Sequence, residues 1–348
     1  MALERGTLFD PKLVTDLINK VTGESSLAAL SKQTPIPFNG QKEFVFTMDS
    51  EIDVVAESGK KSHGGVTLTP RTIVPIKVEY GARVSDEFIY ASEEERISIL
   101  KAFNDGFAKK VARGLDLMAY HGVNPRTGLA SAVIGDNNFA TAVDNVVEAD
   151  LGMATANEDI ETAIALIEEG DITGMAMAPA FRSALAALTK TDGNPMFPEL
   201  AWGNAPSTIN SLNVVVSRNI SDMSARVRAI IGDFENSFKW GYAKQIPLEI
   251  IQYGDPDNSG LDLKGYNQVY LRAEVYLGWG IMEPESFAII TEAEENGENG
   301  EKRWEKGENG PKMAQNGAKT GVFGGFWVVW GGVRRCGRRG GGFVVRRG

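Results

Sequence analysis

Two histidines and one cysteine are all that this 348-residue chain offers to imidazole or thiol chemistry. His63 falls in a run of turn formers, Ser58-Gly-Lys-Lys-Ser-His-Gly-Gly65; His121 closes a helical pattern; Cys336 lies in a glycine-rich tail. A catalytic triad or a zinc site needs several such groups converging. The histidines read instead as a solvated turn residue and as a charge partner for a helix C-terminus. The stretch GPKMAQNGAKT (310–320) resembles a phosphate loop, but six residues separate its glycines and Ala318 parts Gly317 from Lys319. The motif requires four residues there and lysine directly after the second glycine. Asp255-Pro-Asp257-Asn-Ser259-Gly260 opens like a calcium loop, yet the position that should carry glutamate holds Tyr266. Pro, Asp, Asn and Gly in that order favour a plain turn. Asp49, Glu51, Asp53 and Glu57 alternate along one strand face, where they serve either a solvated surface or a basic neighbour. No catalytic residue, cofactor or metal is expected.

The elements around these residues say more. In residues 43–80 the even positions run Phe44, Phe46, Met48, Ile52 and Val54, then Val66, Leu68, Val74, Ile76, Val78 and Tyr80, with mostly acidic residues at odd positions of the first arm. Period-two alternation is the mark of a half-buried strand, so the region predicts a hairpin. Arms of about 15 residues would reach about 50 Å at roughly 3.3 Å per residue, the width of a compact body of this size. An isolated hairpin is marginal in water, so its apolar face needs a surface, and a neighbouring copy is the expected one. The assembly contacts expected are Phe44, Phe46, Ile52, Val54, Leu68, Val74 and Ile76, with Lys60 and Lys61 at the tip and Trp240 as a further anchor.

Asp10 and Pro11 open a short helix over 10–21, and 24–42, with Pro35 and Pro37, reads as a draped arm rather than core. Ser92 and Glu95 form a capping box for a helix whose apolar residues recur from Ile97 to Met118 and which stops at Gly122. Gly106 and Gly114 inside it suggest close packing or a bend. Helices and strands then alternate: helix from Asn157 to Gly170, strand 174–178, helix from Pro179 to Lys190, and strands 213–217, 226–232, 237–240 and 247–252. An extended segment, 267–280, sets Val269, Leu271, Ala273, Val275, Leu277 and Trp279 on one side.

Composition divides the chain near Thr291. Residues 1–292 carry 25 basic and 40 acidic side chains, a net of −15, and residues 293–348 carry 11 and 6, a net of +5, which recovers the total of −10. An acidic body argues against tightly held nucleic acid, which requires clustered Lys and Arg. The cysteine-free body excludes internal disulfides and suggests a reducing compartment. Neither a signal peptide nor a membrane span is evident. The tail, with 15 glycines in 56 residues, gives no reason to expect folding and reads as disordered or non-native sequence.

Several stretches resemble the major capsid proteins of tailed phages, of the Hong Kong 97-type fold. They are Ala82-Arg-Val-Ser-Asp-Glu-Phe-Ile89, Met177-Ala-Pro-Ala-Phe-Arg-Ser183 with Asp192-Gly193, and Gly232-Asp-Phe with Trp240-Gly-Tyr and Ile246-Pro-Leu-Glu-Ile250. Asn267-Gln-Val-Tyr-Leu-Arg-Ala-Glu274 and Gly278-Trp-Gly-Ile-Met-Glu-Pro-Glu-Ser-Phe-Ala288 complete the set. The resemblance covers about residues 24–292. It implies an α+β fold: an N-terminal helix and arm (1–40), an extended hairpin loop (41–80), and a peripheral domain (81–149 and 251–292) with its spine helix (92–121). An α/β axial domain (150–250) follows in that scheme. It also implies self-assembly into hexamers and pentamers of an icosahedral head enclosing double-stranded DNA, with no membrane and no sequence-specific DNA binding. A separate scaffolding protein, a prohead protease and a portal are the implied partners, and assembly in the bacterial cytoplasm yields a virion shell. Cross-linking through Lys and Asn, known in the family, finds no match here. An encapsulin-type compartment and a small-oligomer α/β enzyme are the competing readings.

Overall fold

The computed structural model describes residues 21–293, apart from 22–23, 49, 51, 62, 88–92, 151–153, 169 and 222–225 and the side chains of 46–47, 93–94, 96 and 244–247. The helix expected over 10–21, the cap residue Ser92 and the glycine-rich tail thus fall outside the description, except for Val21 and Ala293.

Two sheets organise the body. The first is antiparallel, with β10 (Gln268–Ile281) between β3 (Ile76–Ser85) and β9 (Phe238–Ile251). Its alternation is the one expected: Val269, Leu271, Ala273, Val275, Leu277 and Trp279 are all buried. Where two strands were expected over 237–252 there is one, β9, paired with β10 through two register shifts. Pro247 is tolerated inside it because β9 is an edge strand, where a missing N–H breaks no ladder.

The second sheet has six strands in the order β4 (Val146–Ala149), β11 (Phe287–Glu292), β8 (Val227–Gly232), β5 (Gly174–Met177), β7 (Leu212–Val216), β6 (Thr208–Ile209). Its strands read as continuous apolar runs because both faces are covered. Ala288 and Ile290 enter one core with Met175, Met177, Ala229 and Ile231, beneath the helices Ala156–Leu166 and Pro179–Ala187. Phe287 and Ile289 point the other way, into a core shared with the long helix and the first sheet. At its centre Phe139 meets the rings of Phe287, Phe238, Tyr120 and Phe234 at 5.0, 5.6, 5.8 and 6.0 Å between centroids. The domain boundaries expected at 150 and 251 do not follow these hydrogen bonds. β4 and β11, from the segments assigned to a peripheral domain, belong to the six-stranded sheet.

In chain order the helices are α1 (Ser26–Leu30), α2 (Glu93–His121), α3 (Phe139–Ala142), α4 (Ala156–Leu166) and α5 (Pro179–Ala187). The 29 residues of α2 make it about 43 Å long at 1.5 Å per residue. Its first turns are exposed, Ile97 and Ile99 included, whereas its last two turns are enclosed on every side. Gly122 ends it with φ +66°, its N–H donating to the Met118 carbonyl at 3.0 Å. The glycines inside α2 do not mark close packing: Gly106 faces open space and Gly114 has room for a methyl group.

The segment 24–42 is more than a drape. Ser25 caps α1, and Leu27, Ala28, Leu30 and Ile36 are buried. Beyond α1 the chain runs beside β9: Thr34 N–H donates to the Trp240 carbonyl at 2.8 Å and Ile36 N–H to that of Tyr242 at 3.4 Å. Gly241 permits this approach, since a Cβ there would overlap the Thr34 carbonyl oxygen. Gly241→Ala is therefore expected to lift 33–36 from the sheet. Amide exchange at Thr34 and Ile36 should accelerate at least tenfold, while protection in β10 stays unchanged.

Candidate functional site

Local alternation builds the hairpin, and tertiary contacts anchor it. β1 (Gln41–Met48) pairs antiparallel with β2 (Val66–Ile73), Phe44 opposite Pro70, Phe46 opposite Leu68 and Met48 opposite Val66. Cross-strand partners share a face, so the described side chains of Phe44, Met48, Val66, Leu68 and Pro70 form one apolar ribbon. Phe44, Met48, Val66 and Leu68 are 55, 75, 54 and 48% exposed, uncovered by their own chain. Eight-residue arms reach about 27 Å, at roughly 3.4 Å per residue, about half the expected length. The described residues of 50–65 connect them without strand pairing, and Ile52, Val54, Lys60 and Lys61 are exposed there. Asp53, Glu57 and His63 are exposed as well; Asp49 and Glu51 lie outside the described residues.

The arm was expected to continue to Tyr80, but it ends at Ile73. Pro75 has no N–H to give a ladder, and after it β3 pairs with β10 instead. Ile76, expected on the apolar face of the arm, packs partly against the core. Val74, at the break, is exposed. Ile73 is the anchor: fully enclosed, it packs with Ile36, Met282 and the half-buried Val45. Gly278 and Gly280 make room for it, since Cβ atoms there would stand 3.1 Å from Ile73 Cγ2 and 2.9 Å from its Cγ1. On the same side Lys239 donates to Glu43 at 3.0 Å. Trp240, expected at a contact between copies, is wholly enclosed beside Tyr242 and unavailable to a neighbour. The Phe46 side chain is outside the described residues.

A second anchor was not legible in the sequence. Asp116, buried on α2, accepts from Ser25 Oγ (2.6 Å), Ser26 Oγ (2.8 Å), Ser26 N–H (3.0 Å), Leu27 N–H (3.3 Å) and Asn219 Nδ2 (2.8 Å). Burial pushes its carboxyl above the usual range, and the bonds from Ser25, Asn219 and Ser26 oppose that rise. One carboxylate thus ties α1 to the buried end of α2. The signal for it was a lone charge in the uncharged run 114–120.

The residues that opened like a calcium loop hold a guanidinium. Arg83 on β3 donates to Asp255 at 2.8 Å, Asp257 at 2.5 and 2.9 Å, and Ser259 at 2.6 Å, while Asp255 caps the N–H groups of Ser259 and Gly260. Bonding to Arg83 holds the Asp257 carboxyl well below the usual range. The turn expected there is present, pinned to the sheet. His121 Nε2 lies 3.0 Å from the Asn219 carbonyl oxygen at the helix end. Among the described residues no group of three or more His, Cys, Asp or Glu is placed to hold a metal, and no helix is long and apolar enough to cross a membrane.

The apolar ribbon is thus uncovered by its own chain, and among the described residues no cluster is placed to hold a metal. The model of the phage capsid family matches residues 5–291. The chain belongs to the phage capsid family. Among solved structures, the capsid protein is similar to a chain of Mycobacterium phage Ogopogo at 32% identity, covering 78% of this chain and 92% of that one with a TM-score of 0.66. A chain of Gordonia phage Cozz is 24% identical, with coverages of 78 and 87% and a TM-score of 0.66. A chain titled capsid of an empty GTA particle is 16% identical, with coverages of 78 and 90% and a TM-score of 0.55. No curated protein sequence matches. The fold is the Hong Kong 97 type, and the capsid protein is a structural component that assembles with copies of itself into a virion shell.

Proposed function

We propose that this capsid protein closes into five- and six-membered rings of an icosahedral head enclosing the double-stranded DNA of a tailed phage or prophage. The observation that carries the reading is the ribbon of Phe44, Met48, Val66 and Leu68, apolar, regular and bare of its own chain. Head-to-tail contacts generate rings when the rotation closes, and an arm with one apolar face bare of its own chain can lap a neighbour in rings of either size. Phe46, Ile52 and Val54 belong to the same contact, and Lys60 and Lys61 sit at its tip. The peripheral and axial domains of the family correspond here to the first sheet with α2 and to the six-stranded sheet with α4 and α5. A body with 40 acidic against 25 basic side chains encloses DNA without adhering to it. Assembly takes place in the bacterial cytoplasm with a separate scaffolding protein, a prohead protease and a portal.

Expression of the full chain, alone and with the products of its flanking genes, tests this. Negative-stain images should show rings or shells, and particles recovered from lysates should carry nuclease-protected DNA. A chain that stays monomeric at high concentration in both settings overturns the proposal.

A further inference from the structure

Trp202 is the one large aromatic among the described residues held wholly in solvent, and it is held there by an unusual backbone. The short 3-10 segment Pro198–Gly203 is broken at Ala201 (ψ 150°), and Trp202 follows at φ 58°, ψ 27°. The other described non-glycine residues with positive φ are Ser58, Asn210, Ser211, Asn258 and Asn267, all small and polar. A bulky side chain in this region is an outlier that persists when its surroundings enforce it. They do so here. Leu200 is buried beneath the turn, Arg182 Nη1 donates to the carbonyls of Leu200 and Asn204 at 3.4 Å each, and Asn204 Nδ2 donates to the Glu199 carbonyl at 2.8 Å.

The sequence around it adds an independent observation. Residues 201–217 contain no Asp, Glu, Lys or Arg, in a body with 25 basic and 40 acidic side chains among 292 residues. They form the Trp202 turn, the edge strand β6 of the six-stranded sheet, the turn at Asn210 and Ser211, and β7 beside it. Interface cores are depleted in charge and enriched in aromatic residues, and tryptophan is among the commonest hot spots. Bodies of net charge −15 repel one another, and a segment free of acidic residues adds nothing to that repulsion. β6 has two residues, too short an edge to recruit a partner by strand addition, so the contact rests on the side chain.

We propose that Trp202 is an anchor between copies of this chain, inserting from the β6 edge of the six-stranded sheet into the adjacent copy. This contact is separate from the arm, and it deepens the assembly reading, on which it rests. A sister copy is the occupant because the protein forms its shell from copies of itself and because the segment 201–217, with no acidic residue, lets two acidic bodies meet without added repulsion.

The test compares the full-length chain with Trp202→Ala and Trp202→Phe, both before and after assembly. Subtracting the emission of the Phe variant from that of the wild type isolates Trp202 among the six tryptophans. In free chains this difference should be red-shifted and fully open to acrylamide; in particles it should be blue-shifted and quenched at least fivefold less. Trp202→Ala should keep the wild-type melting temperature and lower particle yield at least tenfold, with Trp202→Phe recovering part of it. Particles from Trp202→Ala at wild-type yield, or unchanged quenching in wild-type particles, overturn the anchor and leave the assembly reading standing. Protection that arises only when a different protein is added also overturns it. Failure of the wild type itself to assemble sinks both.

Discussion

Replacing Phe44 and Leu68 together by aspartate should leave the folded capsid protein within about 1 kcal/mol of wild type, as exposed substitutions usually do, and should abolish closed particles. Both side chains are about half exposed in the single chain, on the ribbon that faces away from the body. They contribute little to folding, so their removal is felt when a second surface covers them. Truncating a hot spot weakens association by at least about 2 kcal/mol, about thirtyfold in affinity per contact. A shell repeats each contact in every subunit, so the deficit accumulates, and a carboxylate buried against a neighbour adds desolvation. Val45→Asp makes the contrast. Its side chain faces the other way, toward Ile36, Ile73 and Met282, so it should lower the unfolding midpoint before it affects assembly. Sedimentation and electron microscopy read the first effect and denaturant titration the second. Shells of normal yield from the double variant would remove the arm from the assembly contact.

How much of this was legible in the sequence depended on the range of the interactions. Caps and periodicity are local, and they placed α2 to within a residue of Glu93–His121 and set the buried side of β10. The strand at 174–177 and the proline-started helix after it were equally plain. Failures came where a partner lay far along the chain. Alternation at Val66, Leu68, Val74, Ile76, Val78 and Tyr80 keeps one parity across Pro75, so the arm looked continuous. The switch at Ile73 follows from β10, about 200 residues away, which captures β3 and leaves β2 to β1. β4 and β11 went unassigned because each is a short apolar run whose meaning is its place between two cores. The placement of Trp240 and of Trp202 was unreadable for a similar reason. The first stands on a strand covered by the chain at Thr34, and the second is turned outward by a backbone conformation that no residue type announces.

The largest single effect on folding belongs to Asp116. Asp116→Ala should cost about 3–5 kcal/mol, since several buried neutral donors lose their acceptor at about 1–3 kcal/mol each. It strands the buried donors of Ser25, Ser26, Leu27 and Asn219. Asp116→Asn keeps the shape but turns a donor toward other donors, and should cost about 1–3 kcal/mol. The pH dependence of the difference between wild type and Asp116→Asn isolates the group itself. Burial raises the carboxyl's folded pKa above its unfolded value near 3.9, so the folded chain holds that proton more tightly. Its contribution to stability is therefore fully present below the unfolded value, declines as pH rises to the raised folded value, and is constant beyond. Urea titrations of both proteins between pH 4 and 7 should show the wild type's advantage shrinking and then levelling. An advantage that grows with pH through that window would mean that the five donors outweigh burial. The carboxyl would then sit below the ordinary range, and the junction of α1 with α2 would weaken in acid instead of tightening. Either sign locates the clamp on the N-terminal arm, because the serines that answer Asp116 are the first residues of α1 and its cap.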